Sequence, residues 1–313
     1  MYAYIIRRIL ATIPVMAVVA IFVFLLLYLT PGDPAVVIAG DYARPEDIER
    51  IREALGLNKP LYQQFFTWVI NVLSGDLGIS IFSNLPVSKL IGQRLEPTLM
   101  LALCTTIFAV IVAVPIGVLA AWKAHTWIDR SVMVFAVMGF SVPVFVIGYI
   151  LMWIFSLTLG WFPVQGYKPI GDGIGPFLLS IALPTLALGL VYVALIARMT
   201  RASVMEVLTE DYIRTARAKG ASNRTILMKH ALKNASVPIV TIIGVGIALL
   251  IGGVVVTESV FNIPGLGRLT IDAVLRRDYP IIQGVILVFS GIYVLVNLII
   301  DLSYTFLDPR IRY

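Results

Sequence analysis

Apolar residues run along this chain in long blocks rather than in alternation. Six blocks contain no Asp, Glu, Lys or Arg: 9–29, 97–122, 131–159, 177–197, 237–257 and 281–300. Each reaches the roughly 20 residues that an α-helix needs to cross a hydrocarbon core of about 30 Å. The pattern predicts six transmembrane helices, one per block. Pro115, Pro143 and Pro184 fall inside blocks and predict kinks or local unwinding. The first block follows Arg7 and Arg8. It is longer than the apolar core of a secretory signal, and no small-residue cleavage site follows, so the expectation is a retained first helix.

Composition agrees with this reading. Of 313 residues, 59% are hydrophobic and 13% charged, against about 25% charged in ordinary soluble domains. The net charge of +6 becomes informative once it is mapped. Segments 1–8, 123–130, 198–236 and 301–313 carry 14 Lys and Arg in 68 residues, whereas 30–96, 160–176 and 258–280 carry 10 in 107. Basic residues collect on the cytoplasmic side of membrane proteins, so both termini are expected inside. The charge is then a topology signal and calls for no nucleic-acid partner; no basic cluster has interleaved aromatics. Cys104 is the only cysteine, which excludes a disulfide framework. Trp122, Trp127 and Trp161 lie at block ends and read as interfacial anchors.

Three intervening segments are too long to be plain connectors. The chain divides into 1–30 with the first helix, an outer lobe over 31–96, and a five-helix core over 97–313 with an inner loop at about 198–236. The lobe opens on the turn cluster Pro31-Gly-Asp-Pro34. A helix is expected over 45–57, with Pro45 at its start, acids in its first turn, and Ile48, Ile51 and Leu55 on one face. The uncharged run 60–73, with Phe65, Phe66 and Trp68, suits either the bilayer surface or packing on the spans. The lobe either covers span ends or docks an external partner.

In the inner loop, Thr209 is expected to cap a helix, Glu210 and Asp211 to complement its positive end, and Gly220 to supply a left-handed exit. Ser222 or Asn223 then caps a second helix running toward Pro238. The result is an elbow presenting Tyr212, Thr215, Ala216 and Lys219 to a partner protein. The outer segment 258–280, with Phe261, Asn262, Pro264 and Gly265, is apolar and turn-rich. It should fold back on the protein or toward a pore, since irregular backbone at membrane depth needs a cavity or protein around it. In block 237–257, Gly244, Gly246, Gly252 and Gly253 leave small surfaces, with Glu258 beyond. They serve close helix packing or line a solute path. Asn297 and Asp301 are path groups or interfacial anchors.

Several chemistries are missing. His125 and His230 are the only histidines, no HExxH pair occurs, and no GxxxxGK[ST] phosphate loop is present. No metal site is expected. The blocks lack the acidic or basic groups, each costing about 2.5–3.5 kcal/mol at mid-membrane, that mark ion-coupled carriers. An intramembrane enzyme or an autonomous channel therefore finds little support, and energy for uphill transport must enter through a partner.

Many short motifs occur in one order: Tyr4-Ile-Ile-Arg-Arg8, Pro31-Gly-Asp-Pro-Ala35, Gly56-Leu-Asn-Lys-Pro-Leu61, Gly75-Asp-Leu-Gly78, Arg94-Leu-Glu-Pro-Thr98, Ser141-Val-Pro143, Leu159-Gly-Trp161, Tyr212 to Gly220, His230 to Ala235, Pro264-Gly-Leu-Gly-Arg268, Arg277-Asp-Tyr-Pro280 and Asp308 to Tyr313. In these the chain resembles the inner-membrane permease subunits of ABC importers for oligopeptides, dipeptides, nickel and glutathione. The elbow resembles the loop named for Glu-Ala-Ala and a later glycine. Arg214, Thr215 and Ala216 stand at the first three positions and Gly220 at the glycine, while Leu232 and Lys233 replace a Leu-Pro pair.

The resemblance implies an all-α type I importer permease in a bacterial inner membrane. It implies a second, similar permease, two cytoplasmic ATPases seating the elbows, and a periplasmic or lipid-anchored solute-binding protein. ATP and Mg would belong to the ATPases, with no cofactor in this chain. Tyr212, Arg214, Thr215, Ala216, Lys219, Gly220 and His230 would form the coupling loop. Gly244, Gly246, Gly252, Gly253, Glu258 and Asn297 would face the path, and Phe261, Asn262, Pro264 and Gly265 an outer docking surface or gate. The solute would be a short peptide, glutathione, a nickel chelate or a similar small polar compound.

Overall fold

The computed structural model of the chain describes residues 2–29, 33–39, 43–54 and 56–307. Pro31 and Gly32 of the turn cluster, Leu55 and residues 308–313 lie outside them. Helices are the regular structure of the described residues, joined by turns and loops, with one isolated bridge between Ile79 and Pro86. In chain order the helices are α1 (Tyr2–Leu29), α2 (Pro34–Ala39), α3 (Pro45–Ala54), α4 (Leu61–Leu73), α5 (Val87–Trp122) and α6 (Trp127–Ser141). They continue with α7 (Val144–Thr158), α8 (Ile174–Leu208), α9 (Asp211–Ala218), α10 (Asn223–Val260), α11 (Leu266–Arg276) and α12 (Tyr279–Leu307).

Five of these helices, α1, α5, α8, α10 and α12, are long and apolar enough to span a membrane. Where the sequence predicts one span over 131–159, the chain forms α6 and α7, bent by 101°. The break falls at Val142 and Pro143, which are extended; proline disfavours helix in the residue before it and lacks the N–H to continue the ladder. Pro115 and Pro184 behave differently and lie inside unbroken helices. The helices also outrun the charge-free blocks. α5 begins at Val87, and α8 continues past Arg198 and Arg201 to Leu208.

The chain forms two compact units. One holds residues 97–264 and the C-terminal part of α12; the other holds 2–96 and 265–295. In the first, α8 is central: 67% of its apolar window is buried, against 28% for α10 and 22% for α5. Ile181, Leu188, Tyr192 and Val193 of α8 pack with Leu101 and Ala109 of α5, and with Leu250 and Val254 of α10. Small residues set the helix spacing, as is usual in membranes. A Cβ at Gly117 would lie 2.7 Å from the Ala197 carbonyl oxygen and the Thr200 side chain, and Gly189 lies beneath the Phe108 ring.

In the second unit, Val87 and Ile91 of α5, Leu266, Leu269 and Ala273 of α11, and Ile281 and Val285 of α12 form the core. The Ser80 hydroxyl donates to the buried Asp278 carboxylate at 2.6 Å. Pro45 opens α3 and acids fill its first turn as expected; the helix ends at Ala54, and Gly56 turns left-handed after it. Arg52 of α3 pairs with Asp33. The aromatic run folds as α4 and packs on α1, with Phe24 5.3 Å from Phe65 and 5.8 Å from Trp68 between ring centroids.

Candidate functional site

The elbow lies between α8 and α10. α9 has one buried residue, Ile213, and it packs on the start of α10, where Ile226, Leu227 and Ala231 are buried. The side chains of Tyr212, Arg214, Thr215, Arg217 and Lys219 are exposed, and Ala216 is half-buried. Asp211 steadies the first turn, accepting from the Arg214 guanidinium at 3.2 Å.

The exit from α9 is a Schellman turn: the Ala221 N–H reaches the Ala216 carbonyl at 3.1 Å and the Gly220 N–H the Arg217 carbonyl at 2.9 Å. Gly220 has φ +82°, with open space where a Cβ would project. Glycine is therefore needed for conformation and not for room. Ser222 caps α10 by accepting from the Thr225 N–H at 3.3 Å. The expected cap at Thr209 does not form. Thr209 terminates α8, its hydroxyl donating to the Glu206 carbonyl at 2.7 Å, and Glu210 occupies the cap position of α9 without a side-chain bond. α8 runs about three turns past the charge-free block, to Leu208, and the cap of α9 falls one residue later than expected. His230 sits half-buried in the first turns of α10, a π-helical stretch, Ile226–Ala231, and its carbonyl accepts from the Asn234 amide at 2.8 Å.

An ion pair that the sequence reading missed ties this region to α6. Arg201, on the extension of α8, forks onto Asp129 in the first turn of α6; its Nε contacts one carboxylate oxygen and its Nη2 the other at 2.8 Å. The His125 N–H adds a third bond to Asp129 at 2.9 Å. Asp129 is buried. A forked, charge-assisted pair of this kind fixes orientation as well as separation.

The glycines of the fifth block serve packing at three positions. A Cβ at Gly244 would run into Ile300, one at Gly246 would lie 3.4 Å from the Tyr192 ring and one at Gly253 3.1 Å from Leu188. Gly252 alone among the four faces open space. Glu258 is fully buried, and its carboxylate accepts from the Thr98 hydroxyl at 2.5 Å. Asn297 is half-buried on α12.

Beyond α10, the turn alternates. Phe261 and Ile263 are buried, while Asn262 and Pro264 face outward. The Phe261 ring covers Gly148 of α7, and its carbonyl accepts from the Gly166 N–H at 2.9 Å. Asn262 takes the left-handed conformation with φ +54°, which asparagine tolerates better than most residues. Gly265 is buried at the start of α11. The segment is thus folded onto protein, as its composition requires.

None of these features brings a nucleophile beside a base. What the elbow offers is a preformed helical surface on a glycine turn. The family of binding-protein-dependent transport system inner membrane components matches residues 113–313, and its N-terminal companion matches residues 1–102. A protein of Sinorhizobium fredii described as a probable peptide ABC transporter permease is 56% identical over the whole of both chains. The glutathione transport system permease protein GsiC of Escherichia coli is 45% identical, again over the full length of both. Among solved structures, an inward-facing MetNI methionine ABC transporter matches with a TM-score of 0.59 and 18% identity, over 70% of this chain and 96% of that one. At that identity the match speaks for the fold alone.

Proposed function

The chain belongs to the family of inner membrane components of binding-protein-dependent transport systems, and from this we propose that it carries short peptides, or a compound of similar size and polarity such as glutathione. It is a multi-pass permease subunit of an importer. The solute reading rests on one observation: full-length identity of 56% and 45% to a probable peptide permease and a glutathione permease.

In this reading the chain crosses the membrane six times, counting α6 and α7 as one broken span, with both termini in the cytoplasm. The elbow then faces the cytoplasm, where α9 seats in a cleft of an ATPase subunit that supplies ATP and Mg. A second permease completes the path, and an external binding protein delivers the solute to the side bearing residues 33–86. Ile213 supports the reading, since it anchors α9 while Thr215 and Lys219 stay exposed. ATP-driven closure of the ATPases draws the elbows together, and the permease pair responds as a two-state interface. Glu258 and Asn297 stand as polar groups near the path, and Phe261, Asn262, Pro264 and Gly265 as its outer margin.

The test is to capture the binding protein on the assembled permease and identify its bound ligand by mass spectrometry. A di- to pentapeptide or glutathione is the expected result. A sugar or a free metal ion in that position would overturn the solute assignment and leave the subunit assignment standing.

A further inference from the structure

We infer that a cleft beside α4 binds the headgroup of a bilayer phospholipid, with the lipid chains laid along α1 and the outer face of α4. The observation behind this is an inverted helix. α4 carries no charged residue, and its side chains sort into three faces. Phe65 and Trp68 pack on Phe24 of α1. Gln64, Thr67 and Asn71, spaced three and four apart, line a cleft of about 510 Å³. Tyr62, Phe66, Ile70 and Leu73 point away from the protein and are 60–81% exposed. A helix on a water-facing lobe has the opposite arrangement, apolar inward and polar outward. Here the polar side faces the cleft and the apolar side the surroundings, so the outer face is solvated by hydrocarbon.

Depth supports the same occupant. The cleft is closed on one side by Phe24, Leu27 and Tyr28, in the last turns of α1, and on another by Tyr279, Pro280 and Gln283, in the first turns of α12. Both helices are long and apolar enough to span. Their ends mark the level where hydrocarbon gives way to headgroups, which is also where Tyr and Trp concentrate. Ile13, Val18, Ile21 and Phe22 on α1 are likewise exposed.

The chemistry of the walls suits a zwitterion. Lys59 lines the cleft and makes no ion pair among the described residues; it is placed to meet a phosphate. Asp76 has one carboxylate oxygen engaged by the Gly78 N–H at 2.9 Å. With the rings of Tyr28, Trp68 and Tyr279 around the cleft, it offers an ammonium both a counter-charge and aromatic faces. Gln64 is already committed. Its amide donates to the Lys59 carbonyl at 2.8 Å and the Leu57 carbonyl at 3.2 Å, and it accepts from the Tyr28 hydroxyl. It builds the wall rather than binding the guest. A dissolved solute would gain nothing from the exposed apolar face of α4, whereas lipid chains would be solvated by it.

The experiment uses the assembled transporter in bilayers of phosphatidylethanolamine and phosphatidylglycerol, with a phosphatidylethanolamine probe photoreactive near its headgroup. Adducts are expected on peptides covering residues 59–76. Lys59→Glu should lower them about fivefold, the scale of one partly exposed charge contact. Adducts on the outer face of α1 should stay unchanged, which reports insertion. Asp76→Asn should remove a preference for the ethanolamine over the glycerol headgroup. Equal labelling of residues 59–76 in the wild type and in Lys59→Glu would overturn the proposal. So would protection of these residues by a dissolved dipeptide, which would make the cleft a solute subsite.

Discussion

α4 and α9 are both short helices outside the long apolar runs, and they are built with opposite polarity. α9 buries one aliphatic residue, Ile213, and shows charge and hydroxyl groups outward. α4 shows Tyr62, Phe66, Ile70 and Leu73 outward and turns Gln64, Thr67 and Asn71 toward a cleft. Length and helicity do not separate them. The face that each helix turns outward does: polar on α9, which suits water and the proposed partner, and apolar on α4, which suits the proposed lipid.

The sharpest way to break this contrast is at the elbow. Gly220→Pro removes the N–H that bonds Arg217 and forces a negative φ where +82° is required. Uptake in membrane vesicles should be abolished while ATP hydrolysis by the partner subunits persists and the permease still inserts. Normal uptake would remove α9 from the coupling path. Ala216→Trp should give the same phenotype by filling the half-buried seat of the helix.

A second effect concerns the support of the elbow. Arg201→Met strands the buried Asp129, and truncation of one partner of a buried pair costs about 3–5 kcal/mol. The melting temperature of the detergent-solubilised protein should fall clearly. The double variant Asp129→Asn, Arg201→Met should recover much of the loss; a double variant as unstable as the single one would show that packing and not charge is at stake.

A smaller effect is expected among the glycines. Gly244→Ala drives a methyl into Ile300 and should cost about 1–3 kcal/mol. Gly252→Ala, facing open space, should be near neutral in the same melting assay. The smallest effect tests α4. Ile70→Lys at an interfacial depth should cost no more than about 1 kcal/mol, yet should weaken protection of the 61–73 segment from aqueous thiol reagents when Leu73→Cys is the reporter. The equivalent cysteine at Thr215 should be freely reactive in both backgrounds until a partner covers it.

Much of the architecture is legible in the sequence because long apolar runs have few stable fates in water. Helix ends are less so. Charges at Arg198 and Arg201 mark where hydrocarbon stops, but a helix has no reason to end there, and α8 continues to Leu208. That extension moved the cap from Thr209 to the Glu210 position. Prolines could not be ranked in advance: Pro115 and Pro184 are tolerated inside helices, while Pro143 marks a 101° bend.

At the elbow, Gly220 and Ser222 were readable because left-handed exits and hydroxyl caps have local signatures. The Asp129–Arg201 pair was not, because its members are 72 positions apart and each passes for a loop charge. The cleft by α4 was hidden for the same reason, since its walls come from α1, α4 and α12.

α10 carries a mechanical consequence. It runs without interruption from Asn223 to Val260, roughly 55 Å at 1.5 Å per residue, nearly twice the thickness of the oily layer it crosses. One end starts at the Ser222 cap and the other ends at the Phe261 turn. Such a rod turns rotation into displacement: tilting it by about 5° about the elbow end carries the far tip, and the Phe261 turn with it, through about 5 Å.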